Sequence, residues 1–152
     1  MRKSLARAAA MAVLASLVAV PAVLGATTTP IYGSKADDAR VKETLVWITS
    51  GNHQVPGIFA VPKARGSAAT YPAVLLLHGF ASAKDEVGNM YKHLARGLAE
   101  HGIASLRIDF AGSGQSKQTF LELTYPGMVA DARAALAWLL RRTNIDKSHV
   151  GV

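Results

Sequence analysis

From residue 41 onward, the chain alternates apolar and polar positions in the manner of short strands. Residues 41–49 are rich in β-branched and aromatic side chains, and residues 55–61 form a second such run after the turn signal at residues 50–52. Two such runs joined by a short Gly/Asn turn predict an antiparallel hairpin. Pro56 and Gly57 weaken the second run as a central strand, so we expect it at an edge of the sheet.

Beyond residue 70, apolar runs alternate with segments of helical spacing. Residues 73–77 and 103–109 are typical of strands buried on both faces of a parallel sheet, and residues 147–152 begin another strand. Helical spacing marks residues 89–101 and 125–142. This order predicts an α/β fold with a mainly parallel sheet and an antiparallel hairpin at one edge.

Each predicted helix carries an apolar face. In the first helix, Met90, Leu94 and Leu98 recur at every fourth position, with Ala95 beside them. The second helix opens with Pro126 near its first turn. Its predicted apolar face comprises Val129, Ala132, Leu136, Leu139 and Leu140.

The first forty residues carry a different pattern. A cationic start is followed by an apolar run over residues 8–24 and then by the small residues Gly25 and Ala26. This order is that of a secretory signal peptide, which we assign to residues 1–26. Residues 27–40 are polar and without period, and we interpret them as a flexible leader into a domain at residues 41–152.

An uncleaved membrane anchor is the alternative interpretation of that apolar run, because about 17 apolar residues approach the span of a bilayer. Pro21 and the small residues after it favour cleavage. We therefore expect an exported bacterial protein, periplasmic or extracellular, without stable membrane association after cleavage.

Composition narrows the function classes. The formal net charge is +7, and the predicted signal peptide holds three of the 17 basic residues and none of the ten acidic ones, so that the remainder carries +4. These charges are scattered, whereas a nucleic-acid surface needs a basic stripe, so we expect no nucleic-acid partner. The absence of cysteine excludes disulfides, thiolate metal sites and cysteine nucleophiles.

Candidate chemistry lies in the loops that follow the parallel strands, where open α/β sheets place their sites. The first loop, residues 78–86, begins His78-Gly79-Phe80. A glycine there lets the backbone turn and leaves amides free to bind the oxyanion of a tetrahedral intermediate, where each donor contributes about 2.7–4 kcal/mol. The alternative is a tight strand-to-helix turn with a histidine whose hydrogen bonds are satisfied.

The second loop contains Gly112-Ser113-Gly114 after Asp109. A dinucleotide-binding G-x-G-x-x-G motif would need a third glycine where Lys117 stands, and no helix opens there, so we expect no cofactor. Asp109 is predicted to hold nearby backbone amides, which is a structural role. We also expect no bound metal.

Together these motifs resemble the α/β-hydrolase superfamily, and within it the serine aminopeptidase-like (S33) and cinnamoyl (feruloyl) esterase-like branch. The resemblance covers about residues 41–152 and is carried by the His78-Gly79-Phe80 loop, residues 107–116 and the helix at residues 131–139. It implies an α/β-hydrolase fold and a serine hydrolase acting on small-molecule carboxylic esters through an acyl-enzyme. S33-type peptidase, lysophospholipase and dienelactone-type hydrolase activities are alternatives, and a short non-catalytic binding module is the alternative outside enzymes.

The resemblance implies that the backbone N–H of Phe80 is the first oxyanion-hole donor, with Gly79 permitting the turn and His78 supporting it. Superfamily members carry their nucleophile in a G-x-S-x-G elbow, followed by the acid and the histidine. No such motif occurs in the 152 residues, since Ser82, Ser113 and Ser116 all lack the required glycine spacing.

Residues 149–152 resemble the first half of the nucleophile strand, so we expect the chain to stop before the elbow and to lack all three triad residues. The histidines are therefore not assigned as general base: they are His53, His78, His93, His101 and His149.

Overall fold

The structure is a computed structural model that describes residues 40–63 and 69–152. The predicted signal peptide and all but the last residue of the predicted leader lie outside the described residues. Within the described part, no helix is both long and apolar enough to cross a bilayer.

The described residues form one mixed sheet and two α-helices. In chain order the elements are β1 (Val41–Ser50), β2 (His53–Pro62), β3 (Tyr71–Leu77), α1 (Met90–Glu100), β4 (Ala104–Ile108), α2 (Tyr125–Leu140) and β5 (Ile145–Gly151). The strands lie side by side in the order β1-β2-β4-β3-β5. β3 pairs in parallel with β4 and β5, whereas β1 with β2 and β2 with β4 are antiparallel. The predicted α/β class and the hairpin are confirmed.

The prediction that β2 lies at an edge is wrong, because β1 occupies the edge and β2 pairs with β4 through residues 57–60. Pro56 lies just before that ladder, and its carbonyl accepts from the amide of Asp109 at 2.8 Å. The N and C=O of one strand residue point to the same side. The nitrogen of Pro56, which carries no hydrogen, therefore faces Asp109, just beyond the residues of β4 that pair with β2. At Gly57, a Cβ would lie 3.0 Å from the Arg107 carbonyl oxygen, so β4 approaches too closely for a side chain.

The two helices cover opposite faces of the sheet. α1 buries Ala95 and Ala99 against Val41 and Ala60, where the small alanine side chains allow a close approach. The predicted apolar face of α1 is wrong in part, since Met90 and Leu94 are exposed. The face of α1 that packs on the sheet lies one position further along the helix than predicted, at Ala95 and Ala99.

α2 begins after Thr124, whose hydroxyl accepts from the amide of Gly127, and it ends two residues earlier than predicted. Its buried positions are Asp131, Ala135 and Leu139. The predicted burial of Leu139 is confirmed. The predicted burial of Val129 is wrong, because this side chain is exposed. The main core lies between this helix and the sheet; its largest fully buried side chains include Ile48, Leu75, Leu106, Ile108 and Leu139.

On the other face of β4 lies a buried charge. Arg107 is only 2% exposed, and its guanidinium contacts Asp85 at 2.7 Å and Glu43 at 3.0 Å. A buried cation is tolerated in a central strand only when it is paired and hydrogen-bonded. The Arg107 pairs tie the loop after β3 to β4 and β1.

Candidate active-site edge of the sheet

The two loops singled out from the sequence meet at one edge of the sheet. β3 and β4 are parallel and in register, with Leu77 opposite Ile108, so the residues after both strands emerge side by side. The β1–β2 turn reaches the same edge, because Gly57 pairs with Ile108 at the end of β4 and the preceding residues 53–56 of β2 extend past it. The carboxyl edge therefore gathers three loops.

Asp109 joins the first two of these loops. Its side chain is fully buried, and its Oδ1 accepts from the backbone N–H of Lys84 at 2.7 Å. Its Oδ2 accepts from the Gln115 amide at 2.9 Å and from the Lys84 ammonium at 2.6 Å. The predicted structural role of Asp109 is confirmed: one carboxylate holds an amide in each loop and neutralises a buried cation.

His78 links the same loops through its ring. Nε2 accepts from the Phe110 amide at 3.2 Å, so the proton is on Nδ1, which donates to the Gly79 carbonyl at 2.7 Å. The ring is buried and packs edge-to-face on Phe110 with centroids 4.8 Å apart. Both nitrogens of this neutral imidazole are used, so His78 is a support rather than a base.

Glu86 closes the first loop onto itself. Its carboxylate accepts from the Gly79 amide at 2.6 Å and from the Ser82 hydroxyl at 2.7 Å. The hydrogen bond from Gly79, followed by that from Ser82, holds the pKa of Glu86 below its ordinary value of 4.5. The amide of Gly79 is consumed by this contact and is not available to a ligand.

The next amide, that of Phe80, has no such acceptor in the described residues. Across residues 40–63 and 69–152, no acceptor lies within hydrogen-bond distance of the Phe80 N–H, and the same holds for the Ala81 N–H. The Phe80 side chain is 58% exposed. A backbone donor without an internal acceptor, directly after a Gly79 amide that Glu86 holds, is what an oxyanion site requires.

The turn does not depend on Gly79 in the way the sequence suggested. Gly79 is absent from the positions with positive φ, and a Cβ there would meet its nearest neighbour at an ordinary 3.7 Å. The left-handed backbone lies instead at Ala81 (φ 60°), Glu86 (φ 56°) and Asn89 (φ 59°). Three non-glycine residues in this region within nine positions mark stored backbone strain, which is typical of functional loops.

A buried Asp131 pairs with His53, a contact that was not predicted from the sequence. Asp131 is fully buried; its Oδ1 lies 2.8 Å from His53 Nε2, and its Oδ2 accepts from the Ala111 amide at 2.9 Å. The pair connects α2, the β1–β2 turn and the second loop. A signal was present, because Asp131 stands four residues before Ala135 and eight before Leu139 on the buried face of α2.

The serines of the two loops lie away from every described histidine base. Ser82 donates to Glu86, and Ser116 Oγ lies between the Gly112 amide and Gln118. Ser113 is buried, and its hydroxyl has no partner in the described part of the chain. None of these three hydroxyls contacts an imidazole there, which is the contact that activates a serine nucleophile.

β5 contains a serine, a histidine and an aspartate in contact, but their geometry is not that of a triad. His149 Nδ1 lies 2.7 Å from Asp146 and 3.1 Å from Ser148, so one nitrogen faces both partners. A triad uses opposite ring nitrogens for the acid and the serine. Hydrogen bonds from Ser148 and His149 lower the pKa of Asp146 to about 2. The group caps an exposed strand start.

In the described ranges, no three His, Asp or Glu side chains lie close enough to hold a metal ion.

Comparisons with known proteins agree with the topology. No protein-family model and no curated protein sequence matches the chain significantly. Solved structures do match, and they show that the chain has the α/β-hydrolase fold. Est1E from Butyrivibrio proteoclasticus is 19% identical over 66% of this chain and 39% of its own, with a TM-score of 0.59.

Two further structures carry the same result. The α/β hydrolase GrgF from a Penicillium species is 18% identical over 73% of this chain, with a TM-score of 0.58. The esterase Est22 is 19% identical over 74% of this chain, with a TM-score of 0.58. The chain spans 35–39% of the length of these three structures.

Proposed function

We propose that the chain supplies the oxyanion-loop part of a serine hydrolase that cleaves small-molecule carboxylic esters through an acyl-enzyme. The observation that carries the proposal is the free N–H of Phe80 at the carboxyl edge, in a loop held by His78, Glu86 and Asp109. In this role the Phe80 N–H donates to the oxygen that becomes negative as the nucleophile attacks.

The register of β5 supports a nucleophile outside these 152 residues. β5 lies parallel to β3, with Gly151 opposite Val74, and β3 runs three residues further to Leu77. A strand continuing in this register would come level with the end of β3 three residues after Gly151. Neighbouring strands lie about 4.8 Å apart, so an elbow serine there would stand beside the Phe80 loop.

Aromatic rings beside that amide support an ester with an apolar acyl group. The Phe80 ring lies 5.8 Å from the Phe120 ring and stacks on Tyr125 at 6.3 Å, and all three side chains are exposed. The solved structure of Est1E holds ferulic acid, an aromatic carboxylic acid. A small-molecule carboxylic ester fits both observations.

The first test is on the chain alone. Because it has no G-x-S-x-G elbow, the 152-residue polypeptide is expected to hydrolyse no p-nitrophenyl ester above background. The coding sequence is expected to continue in frame into a G-x-S-x-G motif, and the polypeptide extended through that motif and the later acid and histidine is expected to be active. Hydrolysis by the 152 residues themselves would contradict the proposal.

The second test isolates the oxyanion donor in the extended polypeptide. Phe80→Pro removes the N–H, whereas the matched Phe80→Ala keeps it and removes only the ring. Phe80→Pro is expected to lower kcat about 10²–10³-fold, while Phe80→Ala acts mainly on KM. Circular dichroism of both variants verifies the fold, and equal kcat values in two folded variants would exclude the donor role.

We also propose that residues 1–26 direct export, on the strength of their cationic, apolar and small-residue order. Cell fractionation and amino-terminal sequencing of the mature protein test this directly. A cytoplasmic product that keeps Met1 would contradict it.

A further inference from the structure

A cavity lies at the opposite end of the parallel strands from the oxyanion loop. It measures about 530 Å³ and opens between the start of β1, the end of β2 and the end of α2. This size falls in the range of about 300–1,000 Å³ that is usual for small-molecule sites. Its walls include cations, hydroxyls and apolar side chains: Lys42, Thr44, Val46, Phe59, Val61, Trp138, Arg141, Arg142, Thr143 and Asn144.

The charge of this lining is entirely of one sign. Lys42, Arg141 and Arg142 border the cavity, and no carboxylate is among the lining residues. None of the three cations forms an ion pair with any residue in the described ranges. Arg107, by contrast, has two carboxylate partners. Three unpaired cations around one concavity produce a local positive field that attracts an anion.

Arg142 is the best-placed of these cations. Its guanidinium lies over the Trp138 ring, 4.2 Å from the centroid, and this contact holds it beside the cavity. Its Nε is buried and has no acceptor within the described residues. The backbone amides of Arg141 and Arg142 already donate to Trp138 and Leu139 at the end of α2. The guanidinium of Arg142 is therefore the group that remains available to donate a hydrogen bond to a ligand.

The remainder of the cavity is apolar. Phe59 and Trp138 pack edge-to-face with centroids 5.4 Å apart, and Val46 and Val61 extend the same wall. The carbonyls at the end of α2 oppose an anion. Arg141 and Arg142, which follow that end directly, offset the opposition. An inorganic anion would contact only the cations and would leave the apolar wall exposed to water.

We propose that this cavity binds an organic anion: one carboxylate, sulfate or phosphate group on an apolar or aromatic body. The charged group lies against Arg142 and Lys42, and the body lies against Phe59 and Trp138. This site is separate from the proposed ester-cleaving edge, and its occupation does not depend on that proposal.

The test uses the 152-residue chain and 1-naphthyl phosphate as the probe. Titration followed by amide ¹H–¹⁵N shifts is expected to saturate, with the largest changes at Val61, Thr143 and Asn144. Inorganic phosphate lacks the body and 1-naphthol lacks the charge, so each alone is expected to bind at least about tenfold more weakly. Added salt weakens the binding because the cations are partly exposed.

Arg142→Gln is expected to weaken binding about tenfold or more, since it removes a charged donor. Lys42→Gln, on a different element, is expected to act in the same direction and shows that the effect is not a local disturbance of α2. The matched control is Arg133→Gln, an exposed arginine of α2 that does not line the cavity. Absence of saturation, equal binding of 1-naphthol, or equal losses in Arg142→Gln and Arg133→Gln would overturn the proposal.

Discussion

The loops after β3 and β4 leave the same edge of the sheet, yet they are built in opposite ways. The loop after β4 is mostly buried over residues 109–113, and two carboxylates, Asp109 and Asp131, accept from amides of the loop. The loop after β3 is more exposed, leaves the amides of Phe80 and Ala81 without described acceptors, and contains left-handed non-glycine residues. A loop with free backbone donors at this edge is thus held by a neighbouring loop in which most backbone donors are satisfied.

Hydrogen bonds join the two loops in both directions. His78 and Lys84 of the first loop both bond to groups of the second, through the Phe110 amide and the Asp109 carboxylate. The second loop is in turn fixed to α2 by Asp131. We infer that the second loop is the rigid element and that the strained backbone of the first is held against it.

Removing the Asp109 carboxylate is expected to have the largest effect. Asp109→Ala leaves the buried Lys84 ammonium without its carboxylate and frees two amides, and it is expected to cost about 3–5 kcal/mol in unfolding free energy. Urea denaturation measures the change. The control is Glu100→Ala at the end of α1, whose ion pair with Arg40 is long at 3.9 Å, and its midpoint should stay close to that of the unaltered chain. Equal midpoints for the two variants would mean that Asp109 does not hold the loops together.

A smaller effect is expected from a methyl group at Gly114. Gly114 has φ +51°, and a Cβ there would overlap the Asp109 carboxylate. Gly114→Ala therefore adds a clash, about 1–3 kcal/mol, to the left-handed strain of about 1–2 kcal/mol.

The matched control for that change is Gly51→Ala in the β1–β2 turn. Gly51 has a similar φ of +55° but no atom within 4 Å of the added Cβ, so it reports the strain alone. Thermal denaturation of both variants gives the clash as their difference. If Gly51→Ala cost as much as Gly114→Ala, the tight packing on Asp109 would be refuted.

The smallest effect is expected from pH acting on Glu86. The pKa of Glu86 is lowered in the folded chain. The ionised carboxylate therefore stabilises the first loop fully at pH values above 4.5, the ordinary pKa of a glutamate. This contribution falls as the pH drops below 4.5 and disappears as the pH passes through the lowered pKa.

Glu86→Gln removes the ionisation and is the variant that tests it. The difference in denaturation midpoint between the unaltered chain and Glu86→Gln is expected to narrow from about pH 7 to about pH 3. A difference that stays constant over this interval would show that the ionised carboxylate does not hold the Gly79 amide.

Much of the fold was predictable because its signals are local. The apolar runs of β3 and β4, the Gly/Asn turn of the hairpin and the spacing of both helices depend on neighbouring residues alone, and the structure confirms those elements. The His78-Gly79-Phe80 loop and Asp109 were also found from the sequence, since they follow apolar strands directly. These features need no knowledge of which strand lies beside which.

Position in the sheet and the pairing of distant groups were decided only by the tertiary structure. Pro56 and Gly57 predicted an edge strand, yet both fit a central one. Pro56 lies just outside the residues of β2 that pair with β4, and Gly57 leaves room for the backbone carbonyl of Arg107. Asp131 meets His53 across 78 positions, and no local pattern encodes such a contact. The sequence by itself determined which residues form strands, helices and loops, because propensity and periodicity act over a few residues. The tertiary structure decided which amides are held and which, like that of Phe80, are left free, because that depends on carboxylates and rings brought together from distant parts of the chain.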